Sequence, residues 1–520
     1  SRIHSHNFAR SIASLTALSM GLILLVAITG AVCALPRSVR RANYDALPED
    51  VNEPNMDLIF ASAIWRHGDR AAEAAVPGRE QFDEDAWNFG GGGYGELSPE
   101  GMSMHFNLGR RIRKRYMVNR QFLSSAYNAK EIYVRSTDYN RTLISAYSNV
   151  AGMYSGFGVQ GANFPSPDAV PDWPAGYVPI PVHTVDIKTD LIGHPDSPCA
   201  RQDQLYELVK QSNEYHTYIN DPQVSKVLKY LSEETSKEVT IHNMYDTQNP
   251  IFCEGIHIDE LSQTGANIED FYPWFYTGDV PTWVDWIMDK DEDFTNGIAN
   301  PVGVNGIDVA VEIGKIRSGD TLKMLAGNVH GVLQCRDAPD ATACRHFYKK
   351  LRYYALSAHD TTVSAFLTIL GVKKYIIPEG YPNYSAAVLV EVYEDNGTKQ
   401  RFFKVLYHAD KDSDFKPITT FVRGCDFKSN LCPIAVLDDL VKKYAPETDV
   451  VTLCNTPLDV SPPTTTVIPV TGPATTSIPT TTTTTTKTVA STIQQKDTTT
   501  SSGTSISIIS TIFFIVFVFL

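Results

Sequence analysis

No long run of lysine and arginine occurs in this 520-residue chain, whose 45 basic residues are outnumbered by 59 acidic ones for a net charge of −14. Phosphate backbones are held by clustered Lys and Arg, so nucleic acid is excluded as a partner. Cysteine is scarce, with eight residues in all, and none stands in a CxxC pair or interleaves with histidine at ligand spacing. That pattern excludes a structural zinc site. Residues 90–93 are four consecutive glycines, but no Lys-Ser/Thr follows them. A nucleotide-binding phosphate loop is thereby excluded, and a mobile loop near a pocket is the expectation. Apolar material is not lacking: 43% hydrophobic residues supply a large core and mark a folded, globular protein.

The averages cover unlike regions. Residues 11–34 (SIASLTALSMGLILLVAITGAVCA) form an uncharged apolar run preceded by Arg10. Val32 and Ala34 suit signal-peptidase cleavage after Ala34, so residues 1–34 are expected to be a signal peptide, with an uncleaved anchor as the alternative. Residues 461–503 are dominated by Thr, Ser and Pro, including six threonines at 481–486. They cannot bury enough apolar surface to offset their ordering entropy and read as an extended, O-glycosylated stalk. Residues 504–520 end in ISIISTIFFIVFVFL with no basic residue after it. This tail resembles a lipid-anchor attachment signal, and a single-pass tail helix is the competitor, weakened by its short length. Either way the body lies in the secretory pathway, on the extracellular or lysosomal face of a membrane to which the tail tethers it.

Taking out Arg2 and Arg10 with the first segment, and Lys487, Lys496 and Asp497 with the last, leaves 41 basic against 58 acidic residues, a net −17. A basic cluster inside the body therefore stands out. Removing Cys33 leaves seven cysteines, an odd number, so in a secreted chain disulfides are expected with at least one thiol unpaired. Asn140, Asn383 and Asn396 open Asn-x-Ser/Thr acceptors. Asn140 lies within a charged motif and is expected to stay unmodified.

Residues 57–65 (DLIFASAIW) read as a buried strand, as do 130–135 (KEIYVR) and 351–357 (LRYYALS). Ser98-Pro99 opens a helix to Tyr116 with Met102, Phe106, Ile112 and Tyr116 on one face. Ser136, Thr137 and Asp138 are N-cap residues for a second helix, and VSAFLTIL after residue 362 forms a third. Alternating segments at 385–394 and 401–406 complete a sheet. Strands separated by helices predict an α/β sandwich with a mixed sheet. Its core is expected in two parts, residues 35–180 and 326–460, with a mostly helical cap inserted at 181–325.

Three of these strands end in charged clusters, where open α/β sheets place their ligands. The first is Arg66-His67-Gly68-Asp69-Arg70, in which two guanidiniums flank one imidazole and offer the donor fork a phosphate dianion needs. The second is Arg135-Ser136-Thr137-Asp138 with Arg141-Thr142, and the third is His359-Asp360.

Together with GELSPEGMSMHFNLGRRIRKRY at 95–116 and CEGIH at 253–257, the WRHGDR, VRSTDYNRT and SAHDTT stretches resemble the histidine acid phosphatase branch of the histidine phosphatase superfamily. The likeness spans roughly residues 55–455 and is greatest to its lysosomal and prostatic acid phosphatases. It implies a phosphoglycerate mutase-like fold and hydrolysis of phosphate monoesters at acidic pH. His67 matches the nucleophile, oriented by a backbone carbonyl at Gly68. Arg66, Arg70, Arg135 and His359 match the phosphate pocket, and Asp360 matches the acid that protonates the leaving alcohol. No metal and no cofactor is implied, because arginines supply the positive charge. The implied substrate is a small phosphomonoester or a phosphoprotein, and a homodimer is compatible with the resemblance.

The resemblance also implies disulfides Cys199–Cys454 and Cys425–Cys432. The usual partner of Cys253 would lie in the stretch YPNYSAAV at 381–388, which has no cysteine, leaving Cys335 or Cys344 as its expected partner. A phytase or inositol polyphosphate phosphatase is the alternative within the superfamily, disfavoured because a polyanion needs a strongly basic rim. A catalytically silent surface protein retaining the fold is disfavoured by the survival of the whole charged set.

Overall fold

A computed structural model describes residue 44 and residues 46–458, apart from 167, 175, 300, 301 and 305. The expected signal peptide, stalk and tail lie outside the described residues. Strand β1 (Met56–Arg66) is buried without a break from Ile59 to Arg66, as a strand covered on both faces requires. Beside it run β2 (Ile132–Ser136) and β3 (Tyr353–Ala358), followed in sequence by β4 (Ala387–Asp395) and β5 (Arg401–His408). The order across the sheet is β2-β3-β1-β4-β5, with the short segments Lys416–Pro417 and Cys432–Pro433 both paired to β5. The first three strands are parallel, and β4 and β5 are antiparallel. This is the mixed sheet expected.

Register brings three strand ends to one edge. Arg66 lies opposite Ala358, and Ser136 opposite Ser357. The residues that follow each strand therefore emerge side by side, although they are almost 300 positions apart in sequence.

Helices α1 (Pro99–Arg113) and α2 (Asn140–Tyr154) cover one face. Ser98 caps α1 by accepting from the Gly101 N–H at 3.0 Å, with Pro99 fixing the first turn. The two helices cross closely: a Cβ at Gly109 would lie 2.0 Å from the Asn149 carbonyl oxygen. Alternation in β1 sends Ala61, Ala63 and Trp65 to this face, where they join Leu108, Ile112, Ala146 and Val150.

Between β2 and β3 the chain forms α3 (Ala200–Lys210), α4 (Asn213–Ile219), α5 (Pro222–Thr235), α6 (Tyr245–Ile256) and α7 (Val280–Thr295). Leu205, Val224, Leu231, Ile251, Val284 and Ile287 give these helices their own hydrophobic cluster. Helix α8 (Asp320–Asp337) instead joins α9 (Asp360–Leu370) and α10 (Ile434–Tyr444) on the second face of the sheet, through Leu322, Leu325, Val329, Phe366 and Leu437. The boundary expected at 325 thus falls inside α8, whose first turns already belong to the sheet's packing.

Cys199–Cys454 and Cys425–Cys432 are bonded as the resemblance implied. The expectation for Cys253 is corrected: Cys335 and Cys344 bond to each other, and Cys253 is free and buried. Cys335 lies in the last turn of α8 and Cys344 follows nine residues later in the adjoining loop, with Cα atoms 4.7 Å apart. Cys253 is committed elsewhere, on the face of α6 turned toward the sheet edge, with Sγ 3.6 Å from an Arg70 nitrogen.

Candidate active site

The loop leaving β1 turns sharply against the start of α1. Backbones approach so closely there that a Cβ at Gly68 would lie 2.4 Å from the Gly101 oxygen and one at Gly101 would lie 2.2 Å from the Asp69 oxygen. Glycine is the residue both positions admit. The turn is held by Asp69, fully buried, whose carboxylate accepts from Ser98 Oγ at 2.5 Å and from His257 Nε2 at 2.7 Å. Sequence reading passed over Asp69 and His257 as site residues. Their signal was present, because Asp69 sits inside the first motif and His257 closes CEGIH.

That turn fixes His67. Its Nδ1 lies 2.8 Å from the Gly68 carbonyl oxygen. A carbonyl only accepts, so Nδ1 carries the hydrogen and Nε2 keeps a free lone pair. Burial, then Arg141, Arg66, Arg70 and His359, hold the imidazole well below its ordinary pKa. Its surroundings therefore favour the neutral ring in the empty site.

A cavity of about 400 Å³ opens over this ring, lined by Arg70, Glu73, Arg141, His359 and Asp360 among others. Arg70 is buried, and its Nη2 donates to the Tyr245 hydroxyl at 2.9 Å. Its Nη1 donates to the Ala71 oxygen at 2.8 Å and to Asn249 Oδ1 at 3.3 Å. Arg66 donates to the Pro382 oxygen at 2.6 Å, pairs with Asp360 at 2.9 Å and stacks 4.2 Å over Tyr384. It lines a second cavity of about 270 Å³, which also borders Asp360. His359 Nε2 lies 3.0 Å from Thr137 Oγ1. Burial, then Arg141, His194, Arg70 and Arg66, push His359 well below its ordinary pKa, so it is neutral while the site is empty rather than cationic. Asp360 opens α9, accepting from the Thr361 N–H at 2.8 Å, and keeps about a fifth of its side chain in contact with solvent.

One residue expected in the site, Arg135, lies outside both cavities. Arg135 does not line the 400 Å³ cavity; its Nη2 is bound at 2.6 Å to Asp190, which is fully buried. Arg141, six residues later in the same motif, lines the cavity instead and is the foremost charge acting on His67. Period-two alternation sends Arg135 sideways out of β2. Arg141 lies in the first turn of α2, which starts where the strand ends and so projects over the sheet edge. It is held there by stacking 4.5 Å over Tyr139 and by pairing with Glu73 at 2.7 Å.

The acceptor asparagines are all exposed: Asn383 beside the second cavity, Asn396 in the turn after β4, and Asn140 at the start of α2, where it donates to Glu96 at 2.8 Å. Among the described residues no group of His, Cys, Asp and Glu is placed to hold a metal ion.

A profile of the histidine phosphatase superfamily (branch 2) matches residues 57–408. The chain is 31% identical over 404 residues to "Putative acid phosphatase 10" of Caenorhabditis elegans, covering 77% of this chain and 94% of that protein. It is 29% identical over 393 residues to the lysosomal acid phosphatase of Homo sapiens, covering 75% and 78%. Among solved structures, the apo phytase of Hafnia alvei superposes with a TM-score of 0.51 at 12% identity, covering 78% of this chain and all of that one. That likeness is one of fold.

Proposed function

The chain belongs to branch 2 of the histidine phosphatase superfamily and is an acid phosphatase, a hydrolase of phosphate monoesters; from that premise we propose how its site works. His67 Nε2 attacks phosphorus, and the bond to the leaving oxygen breaks as Asp360 gives that oxygen its proton. Water then attacks the phosphohistidine, returning a proton to Asp360 and releasing inorganic phosphate. Arg66, Arg70 and Arg141 stabilise the equatorial oxygens, and His359 joins them by donating to the bound dianion. Arg135 has no part in this set.

The observation that carries the proposal is the neutral, Nδ1-protonated His67 at the floor of a cavity walled by Arg70, Arg141 and Asp360. The test is hydrolysis of an aryl phosphate at pH 5, comparing the native protein with His67→Ala. Turnover is expected to vanish in the variant. Equal rates, or an alkaline optimum in the native protein, would refute the mechanism.

Kinship to lysosomal acid phosphatases supports a secretory-pathway or lysosomal protein. Tethering through residues 504–520 rests on their sequence alone, and no helix among the described residues is long and apolar enough to cross a membrane. Release of the cell-surface protein by a phosphoinositide-specific phospholipase would identify a lipid anchor. Asn383 and Asn396 are proposed as glycosylated on their exposure. The division into a sheet core and a helical cap is proposed on their separate hydrophobic clusters.

A further inference from the structure

Three residues after Arg70, the chain returns a carboxylate to the guanidiniums assigned to phosphate. Glu73 Oε1 lies 2.7 Å from Arg141 Nη2, and Oε2 lies 3.6 Å from Arg70 Nη2. The Tyr245 hydroxyl donates to Oε2 at 3.1 Å and accepts from Arg70 at 2.9 Å, closing a ring of three side chains to which Arg141 is joined through Glu73. Two arginines this close repel each other. Burial and the neighbouring Arg70 both weigh against the charge on Arg141, and Glu73 works the other way. Burial also acts to raise the Glu73 carboxyl, but Arg70 and Arg141 outweigh it and hold it below the usual carboxylate range, so the group is an anion when the site is empty.

We propose that Glu73 is a built-in substitute for phosphate: its carboxylate spans Arg70 and Arg141 in the empty site and competes with inorganic phosphate, the product, for their N–H groups. This rests on the reading of the cavity as the phosphate site. A carboxylate and a phosphate present similar oxygen pairs to a guanidinium fork. The competing group also has a route out of the site: the Glu73 side chain is 36% exposed, against 2% for Arg70 and 13% for Arg141, so solvent can receive the carboxylate while both guanidiniums are more enclosed. Substrate entry displaces Glu73, and its return as phosphate departs restores the neutralised pair. Glu73 thus weakens ground-state binding of both ester and product and favours release. It touches neither the reacting nitrogen nor the leaving oxygen, and acts by holding and shielding the arginines.

The test is titration of inorganic phosphate into the full chain by calorimetry at pH 5.5, comparing native protein with Glu73→Gln. Glutamine keeps the shape and removes the charge. Phosphate is expected to bind the variant about tenfold more tightly, as removal of a like charge from a partly buried anion site implies. KM and the inhibition constant for phosphate should fall by a similar factor. Affinity that is unchanged would show that Glu73 does not compete, and weaker affinity would show that it only positions the arginines; either overturns the proposal. In an Arg141→Ala background the same substitution should gain less, since one of the contacts is already gone, and an equal gain would also overturn it. Phosphate binding is read without turnover, so a protein that hydrolyses no ester but binds phosphate more tightly as Glu73→Gln would refute the catalytic reading and leave this one standing.

Discussion

At the sheet edge, His67, Thr137 and His359 each follow directly on a parallel strand, and backbone register alone sets them side by side. In the cap, Tyr245, Asn249 and Cys253 reach Arg70 from successive turns of α6, four residues apart on one helical face. The first arrangement is rigid because ladder hydrogen bonds and two layers of helices enforce it. The second depends on how one helix docks over the edge. Chemistry is therefore expected to reside in the strand ends, while the cap trims the charge and shape of what surrounds them.

The sharpest way to break that contrast is to remove a group from each side. Asp360→Asn, at the strand end, should slow hydrolysis of an alkyl phosphate by about a thousandfold, within the range of a lost general acid. Read as single-turnover release of the alcohol, which reports the first step alone, the loss should be far smaller for nitrophenyl phosphate, because that leaving group needs no proton. Equal losses on both esters in that first step would exclude Asp360 as the acid.

Two arginines of a single motif provide a finer test. Arg141→Ala should lower kcat/KM by about a hundredfold, as loss of a transition-state donor does. Arg135→Ala should leave kcat near native but destabilise the fold by about 3 kcal/mol or more, because it strands the buried Asp190 carboxylate. Rate profiles and thermal melts of the two variants separate the roles, and a catalytic loss in the Arg135 variant without a stability loss would reverse the assignment.

The smallest effect lies in the cap. Burial raises the Glu254 carboxyl to about 7, although the Tyr272 hydroxyl donates to it at 2.6 Å and acts to lower it. The folded state holds this proton more tightly than the unfolded chain does. Stability is therefore fully present below the ordinary glutamate range and declines as pH rises through 7, by on the order of 3 kcal/mol in all. Glu254→Gln should melt above the native protein at pH 8 and match it at pH 4.5; no gain at pH 8 would remove the cap's preference for acid.

Much of the sheet edge was legible in the chain. Residues 57–65 and 351–357 are short, largely apolar runs of the kind a doubly covered strand requires, and the charged clusters stand where such strands stop. In the second motif the cavity is faced by Arg141, six residues beyond Arg135, because alternation along β2 and the start of α2 decide which arginine points there. The cap was legible only as helix. That α6 turns Tyr245 and Cys253 toward Arg70 follows from packing among distant residues, as does the bond between Cys335 and Cys344 that leaves Cys253 free. Glu73 carried no signal in sequence, since a lone glutamate in a loop is ordinarily solvated.

By itself, then, the sequence determined the family, the position of His67 and Asp360 just beyond strand ends and the acidity of the body around them, because these rest on local order along the chain. Which arginine faces the cavity, which cysteine stays unpaired and which carboxylate lies against the arginines were decided only by tertiary structure. Each depends on the direction in which a side chain leaves its backbone relative to residues that are remote in sequence, and no local pattern encodes that.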